Sequence, residues 1–189
     1  MTKQPKLPHH YKNPEEVMEG FLKAVISLSQ SAKEMICEMD KGPADIPPVL
    51  LWITLDGEMK TEALMITDEV IAPVAVQQAL ARAFAEHGKP RIAGLIVEAY
   101  ARKDGTPEQS WERGQLERDF LSGKVDGITE CVTAFLFDLH NNTRTACLFY
   151  KYDDKGMPVF DEISTEKEHT SGAIADIIER FIHFACDWT

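Results

Sequence analysis

The sequence predicts an α+β fold, a mostly antiparallel sheet of about five strands with three or four helices packed on it, in the order α-β-β-α-β-(α)-β-β-α. Three observations predict it. Capped or uninterrupted apolar stripes at helical spacing stand near both ends of the 189-residue chain. Between them lie apolar runs of strand length, joined in pairs by short turn-forming stretches such as Asp56-Gly57 and Asn141-Asn142. Few segments between those runs are long enough to act as crossover helices, so adjacent strands should run antiparallel.

The first element is a helix. Asn13-Pro14-Glu15-Glu16 combines an N-cap, a proline at the first helical position and a capping-box glutamate. Val17, Phe21, Ala24, Val25, Leu28, Ala32, Met35, Ile36 and Met39 then recur at three and four, one apolar stripe that must pack on something, and Gly42-Pro43 ends the helix. Residues 49–66 read as a hairpin with Asp56-Gly57 as a two-residue turn. A second helix spans about 73–87, from Pro73 to Gly88, with Val76, Leu80, Ala83 and Phe84 on one face. The apolar run 91–101 is a third strand. Thr106-Pro107-Glu108-Gln109 is a capping-box pattern, yet Gly114 interrupts the helix it would start and apolar residues there are sparse, so 102–125 is expected to be an irregular or mobile excursion. Strands at about 128–139 and 144–152 form a second hairpin, Asp153-Asp154-Lys155-Gly156 turns the chain again, and Val159-Phe160 can open a short last strand. Ile174, Ile177, Ile178, Phe181, Ile182 and Ala185 mark a last helix over 172–186.

The domain boundaries implied are a flexible segment over 1–12 and a single α+β domain over 13–189. At 44% hydrophobic and 27% charged residues, a core can form without disulfides or a structural metal. Formal net charge is −11, and residues 106–189 hold 16 of the 31 acids against 8 of the 20 bases. A general nucleic-acid surface would be basic, so none is expected; the acidic half reads as a solvated surface, with a basic partner or a nucleic-acid-mimicking stripe over 153–168 as lesser alternatives. No run of 18 apolar residues is present and no signal-like apolar h-region follows the polar first 13 residues, so the expectation is a cytoplasmic protein without a membrane span.

Four clusters could carry chemistry. Asp138, His140 and Arg144 lie around the 128–152 hairpin tip, and Glu98 could join them, which makes Glu98, Asp138 and His140 candidates for a carboxylate/His acid–base pair. The ordinary reading of that tip is a polar turn. Glu98, Tyr100 and Arg102 share one face of the third strand, where a site at a strand end competes with a strand leaving the core. Trp111, Glu112, Arg113 and Arg118 in the irregular segment have the composition of an interface, with Trp111, Arg113 and Arg118 as binding candidates. His183 and Asp187 sit four apart on the last helix, but no HExxH, HxH or CxxC is present, so neither a metal nor a cofactor is expected. P-loop, dinucleotide and GxSxG signatures are absent as well.

A two-residue turn at Asn141-Asn142 places His140 opposite Thr143, Phe137 opposite Ala146 and Phe135 opposite Leu148. In that register Cys131 and Cys147 point to opposite faces and cannot bridge. Cys37, Cys131, Cys147 and Cys186 are therefore expected as reduced, structural thiols. Both faces of this hairpin are apolar, and with two long apolar helix stripes they leave a surplus of surface to cover. The functional expectation is a non-catalytic protein-interaction module that self-associates as a homodimer, contact with another protein being a further option; the alternative is a small enzyme using Glu98, Asp138 and His140.

Overall fold

The computed structural model describes residues 14–64, 72–102, 128–139, 142–166, 177, 178, 180 and 181. A helix α1 (Pro14–Asp40) precedes strands β1 (Val49–Thr54) and β2 (Met59–Ala63), helix α2 (Ala72–His87), and strands β3 (Pro90–Arg102), β4 (Ile128–Asp138), β5 (Thr143–Tyr152) and β6 (Pro158–Glu166). The six strands form one antiparallel sheet in the order β2-β1-β3-β4-β5-β6. The class is the α+β expected. The strand count is six rather than about five, because the Val159-Phe160 start grows into a nine-residue strand paired along β5. Two helices are described in full; Ile177, Ile178, Arg180 and Phe181 are helical. The remainder of the expected last helix, the expected excursion over 102–125 from residue 103 onwards, with Trp111, Glu112, Arg113 and Arg118, the expected flexible segment over 1–12, and His183 with Asp187 lie outside the described residues; Arg102 itself is the last residue of β3.

α1 ends where Gly42-Pro43 predicted, but the left-handed residue is Lys41, at φ 58°, one position earlier. Gly42 N–H reaches back to the Cys37 carbonyl at 3.1 Å and closes the helix. The β1–β2 connection is a three-residue loop, not a two-residue turn. Gly57 N–H donates to Thr54 O and Thr54 N–H to Glu58 O, both at 2.9 Å, with Gly57 at φ 83°. The β5–β6 loop repeats this geometry over Asp153–Met157, with Gly156 at φ 75°. Asp153 Oδ1 accepts from the Lys155 and Met157 amides at 2.9 Å each, and these bonds hold its carboxyl below the usual range.

The β4–β5 hairpin differs from the expected register. Asp138 N–H donates to Asn142 O at 3.1 Å, and Phe137 pairs with Thr143, Phe135 with Thr145 and Val132 with Leu148. The strands therefore pair up to Phe137 and Thr143, and every pairing moves by three positions. Three is odd, so every side chain of β5 changes face relative to β4. Val132, Ala134, Leu136, Ala146, Leu148 and Tyr150 now share one face with the buried side of α1. Phe135 and Phe137 lie on the other, with Leu50, Trp52, Leu95 and the α2 residues Val76, Leu80 and Ala83. Cys131 and Cys147, expected on opposite faces, share that second face.

Each face thus has its own helix. α1 lies over β4, β5 and β6, while α2 lies over β1, with Ile178 completing the second cluster. The surplus of apolar sheet surface expected from the sequence is largely consumed inside one chain. At Gly94 of β3 there is no room for a side chain, because an added Cβ would run into the Phe135 carbonyl oxygen of β4.

Candidate functional site: a buried lysine among carboxylates and tyrosines

The buried stripe of α1 is Met18, Leu22, Val25, Ser29, Lys33 and Cys37, spaced by three and four. Ser29 satisfies its hydroxyl within the helix, donating to Val25 O at 2.8 Å. Lys33 has no such local outlet, and its side chain is 0% exposed. A buried ammonium must find charge and acceptors, and the sheet below supplies them. Nζ donates to Ala44 O at 2.6 Å and forms an ion pair with Glu98 from β3. Asp45 lies 4.0 Å away at the rim. The Tyr150 and Tyr152 rings of β5 stand 4.7 and 5.4 Å from Nζ.

Glu98 is held from two sides, since Tyr150 Oη donates to its Oε1 at 3.3 Å. Its side chain keeps 15% exposure, the opening of the cluster to solvent. Burial pushes the Glu98 carboxyl up to about 7, against the pull of Lys33 and with a further push from Asp45. Burial lifts Glu130 as well, with Lys33 opposing. Lys33 itself is raised: burial disfavours its charge, but Glu98 and Tyr152 outweigh that. The directions are consistent because Glu98, Glu130 and Asp45 share one ammonium, which stays charged while a carboxyl takes up the proton near neutrality. Burial, then Glu98 and Glu130, push the Tyr150 phenol up, so it acts here as a donor. Chemically the cluster can hold a proton at Glu98 and exchange it at neutral pH.

Of the residues singled out in the sequence, Glu98 belongs to this cluster. Asp138 does not: Glu98 pairs with Val132 and Asp138 with Ile92, six residues along the strand, about 20 Å at ~3.3 Å per residue. Asp138 instead holds its own turn, accepting from the Asn142 amide at 2.8 Å and from Asn142 Nδ2 at 2.7 Å. His140 lies outside the described residues. Arg144 is buried and ties β5 to α1, donating to Glu19 Oε1 at 3.0 Å and to Thr143 O at 2.8 Å. Tyr100 and Arg102 continue β3 beyond Glu98, and their side chains lie outside the described set. Sequence reasoning missed Lys33, Tyr150, Tyr152 and Glu130. The signal for Lys33 was its place in line with Leu22, Val25, Ser29 and Cys37.

Two other surfaces stand apart. A pocket of about 310 Å³ lies between α2 and the β1–β2 hairpin, over Leu50, Trp52 and Ala83. Its Arg82 is already paired with Glu62 and its Lys60 with Glu58, and the buried Trp52 Nε1–H finds no acceptor among the described residues. On α1, Leu28, Met35 and Met39 are 46, 55 and 74% exposed, spaced by seven and four, with Ala24 exposed one turn before Leu28. They form an apolar shoulder about 22 Å long at 1.5 Å per residue, beside the buried stripe. Among the described residues no helix is long and apolar enough to cross a membrane, and no three His, Cys, Asp or Glu side chains converge as metal ligands. No family model, no curated protein and no solved structure matches the chain.

Proposed function

We propose that this chain is a non-catalytic protein-interaction module whose contact surface is the apolar shoulder of α1, and that it self-associates through it. The supporting observation is the exposure of Leu28, Met35 and Met39 in one row, when Val17, Met18, Leu22, Val25 and Ile26 of the same helix are buried against the sheet. Methionine is unbranched and adapts to a partner's shape, which suits such a surface. The Lys33–Glu98 pair pins the same helix to the sheet, so the row is presented on a rigid element. One helix shoulder is far smaller than the ~2,000 Å² of an obligate dimer, so association should be reversible and rise with concentration. Light scattering coupled to size exclusion tests this. A mass climbing from 21.3 kDa towards twice that value, and held at the monomer value by Leu28→Glu with Met35→Glu, is the expected result. A monomer across a hundredfold concentration range refutes it.

A second reading is favoured by one observation, the Glu98 carboxyl titrating at about 7 beside a buried ammonium. In it the chain is a small enzyme in which Glu98 moves a proton, Lys33 stabilises the developing anion and Tyr150 orients the carboxyl. Ligand-observed NMR over a mixture of small metabolites, comparing the wild type with Glu98→Gln, tests it: a bound compound that is turned over by the first and not by the second supports it, and no binding at all removes it.

A further inference from the structure

The register of β4 and β5 brings two thiols together. Cys131 pairs with Phe149 and Thr133 with Cys147, so Cys131 and Cys147 are diagonal neighbours on one face. The Thr133 hydroxyl oxygen stands 3.4 Å from Cys131 Sγ and 3.7 Å from Cys147 Sγ, so one hydroxyl lies between the two thiols. Cys131 is fully buried, whereas Cys147 retains partial exposure. We propose that Cys131 and Cys147 are a reversible oxidation site, closed to an intramolecular disulfide by a hydroperoxide that reacts first at Cys147.

The order of events follows from the two environments. The neighbouring Cys147 thiol and burial push the Cys131 thiol far up, so it is the poorer first nucleophile. The Cys147 thiolate attacks the hydroperoxide; an S–O bond forms, the O–O bond breaks, and the departing alkoxide leaves as the alcohol after taking a proton. Cys131, giving up its proton, then attacks the Cys147 sulfur; the S–S bond forms, the S–O bond breaks, and hydroxide leaves with that proton as water. Two thiols are oxidised and one hydroperoxide is reduced. Diagonal neighbours are separated by about 7–8 Å, beyond the usual 4.4–6.8 Å Cα span of a disulfide. Closing the bridge across this two-residue offset therefore strains the local pairing of β4 and β5 and leaves a bond that is easily reduced, the property of a labile site rather than a staple.

Hydrogen peroxide is the probe, applied to the full chain and read by intact mass and non-reducing peptide mapping. The expected product is lighter by two hydrogens, joins the peptides of Cys131 and Cys147, and reverts with dithiothreitol. Cys147→Ser should abolish the bridge. Cys131→Ser should leave Cys147 as a sulfenic acid that dimedone traps; if that buried change prevents folding, Cys131→Ala serves the same test. Oxygen addition without hydrogen loss, a bridge to Cys37 or Cys186, a disulfide between chains, or a bridge that persists in Cys147→Ser each overturns the proposal.

Discussion

Replacing Lys33 by Met removes the charge of the buried cluster while keeping much of its apolar stem. Among the described residues Glu98 is then left without its ion-pair partner, since Asp45 and Glu130 bring only more negative charge. Breaking a buried ion pair from one side costs about 3–5 kcal/mol. For a chain of this length each kcal/mol lowers Tm by about 2–4 °C, so the loss should read as roughly 6–20 °C. The cost should depend on pH. At pH 8 the wild-type Glu98 carboxyl, with a pKa of about 7, is mostly ionised and needs its lysine. At pH 5.5 it is protonated in both proteins, and the penalty of the substitution should shrink. The double variant Lys33→Met with Glu98→Leu removes the orphaned charge and should recover most of the loss, or exceed the wild type, as replaced buried pairs often do. Urea denaturation followed by circular dichroism, at both pH values and on all four members of the cycle, measures this. If Lys33→Met alone costs under ~1 kcal/mol at pH 8, or the double variant falls by the sum of the singles, the cluster does not hold α1 to the sheet.

Wild-type stability should fall as pH rises from about 4.5 towards 7 and then level. The folded Glu98 carboxyl binds its proton more tightly than the ordinary 4.5, so the folded state holds the extra proton that alkali removes. The span is about 3 kcal/mol at 1.36 kcal/mol per pKa unit, and Glu98→Gln should flatten that slope in urea titrations. Gly156→Ala should destabilise by at least about 1 kcal/mol, since φ 75° strains any L side chain and the new Cβ would stand 2.8 Å from Pro43 Cδ; an unchanged Tm would refute this. Asp138→Ala should cost about 1–3 kcal/mol by stripping two bonds from the β4–β5 turn, whereas His140→Ala should change stability by under ~0.5 kcal/mol; equal effects in thermal melts would contradict this division of roles.

The fold was legible where a residue type has one physical use. Asn13-Pro14 and the glutamates after it mark a helix start because their geometry is helical only there, and α1 begins at Pro14. Gly57 and Gly156 mark turns because each occupies φ > 0. Register was not legible. In the 128–152 hairpin both faces are apolar, so alternation fits two opposite pairings equally well, and the choice falls to which residues hydrogen-bond across the tip. Asp138 decided it by capping the Asn142 amide, a contact that the Asn141-Asn142 dipeptide gave no sign of. Lys33 escaped for a related reason. A lysine in a helix reads as solvent-facing, and its burial depends on Glu98, Tyr150 and Tyr152, which only the assembled sheet brings beneath it. Glu98 was visible as an acid after an apolar strand, but its partner was sought among Asp138 and His140 instead of on α1.

The bond between Glu19 and Arg144 joins residues 125 positions apart, and this has a consequence for the chain as it is being made. α1 emerges first, yet the strands it covers, β4, β5 and β6, emerge last. When the chain up to the end of β3 has left the ribosome, α2 can already cover β1 and β3 on one side, while Leu51, Ile53, Ile92 and Ile96 on the other await a helix that has nothing yet to hold its remaining length. Closure of such long loops is slow compared with hairpin formation. The nascent protein therefore passes through a one-sided sheet, preceded by an amphipathic helix whose apolar face is only partly covered until β4, β5 and β6 are in place.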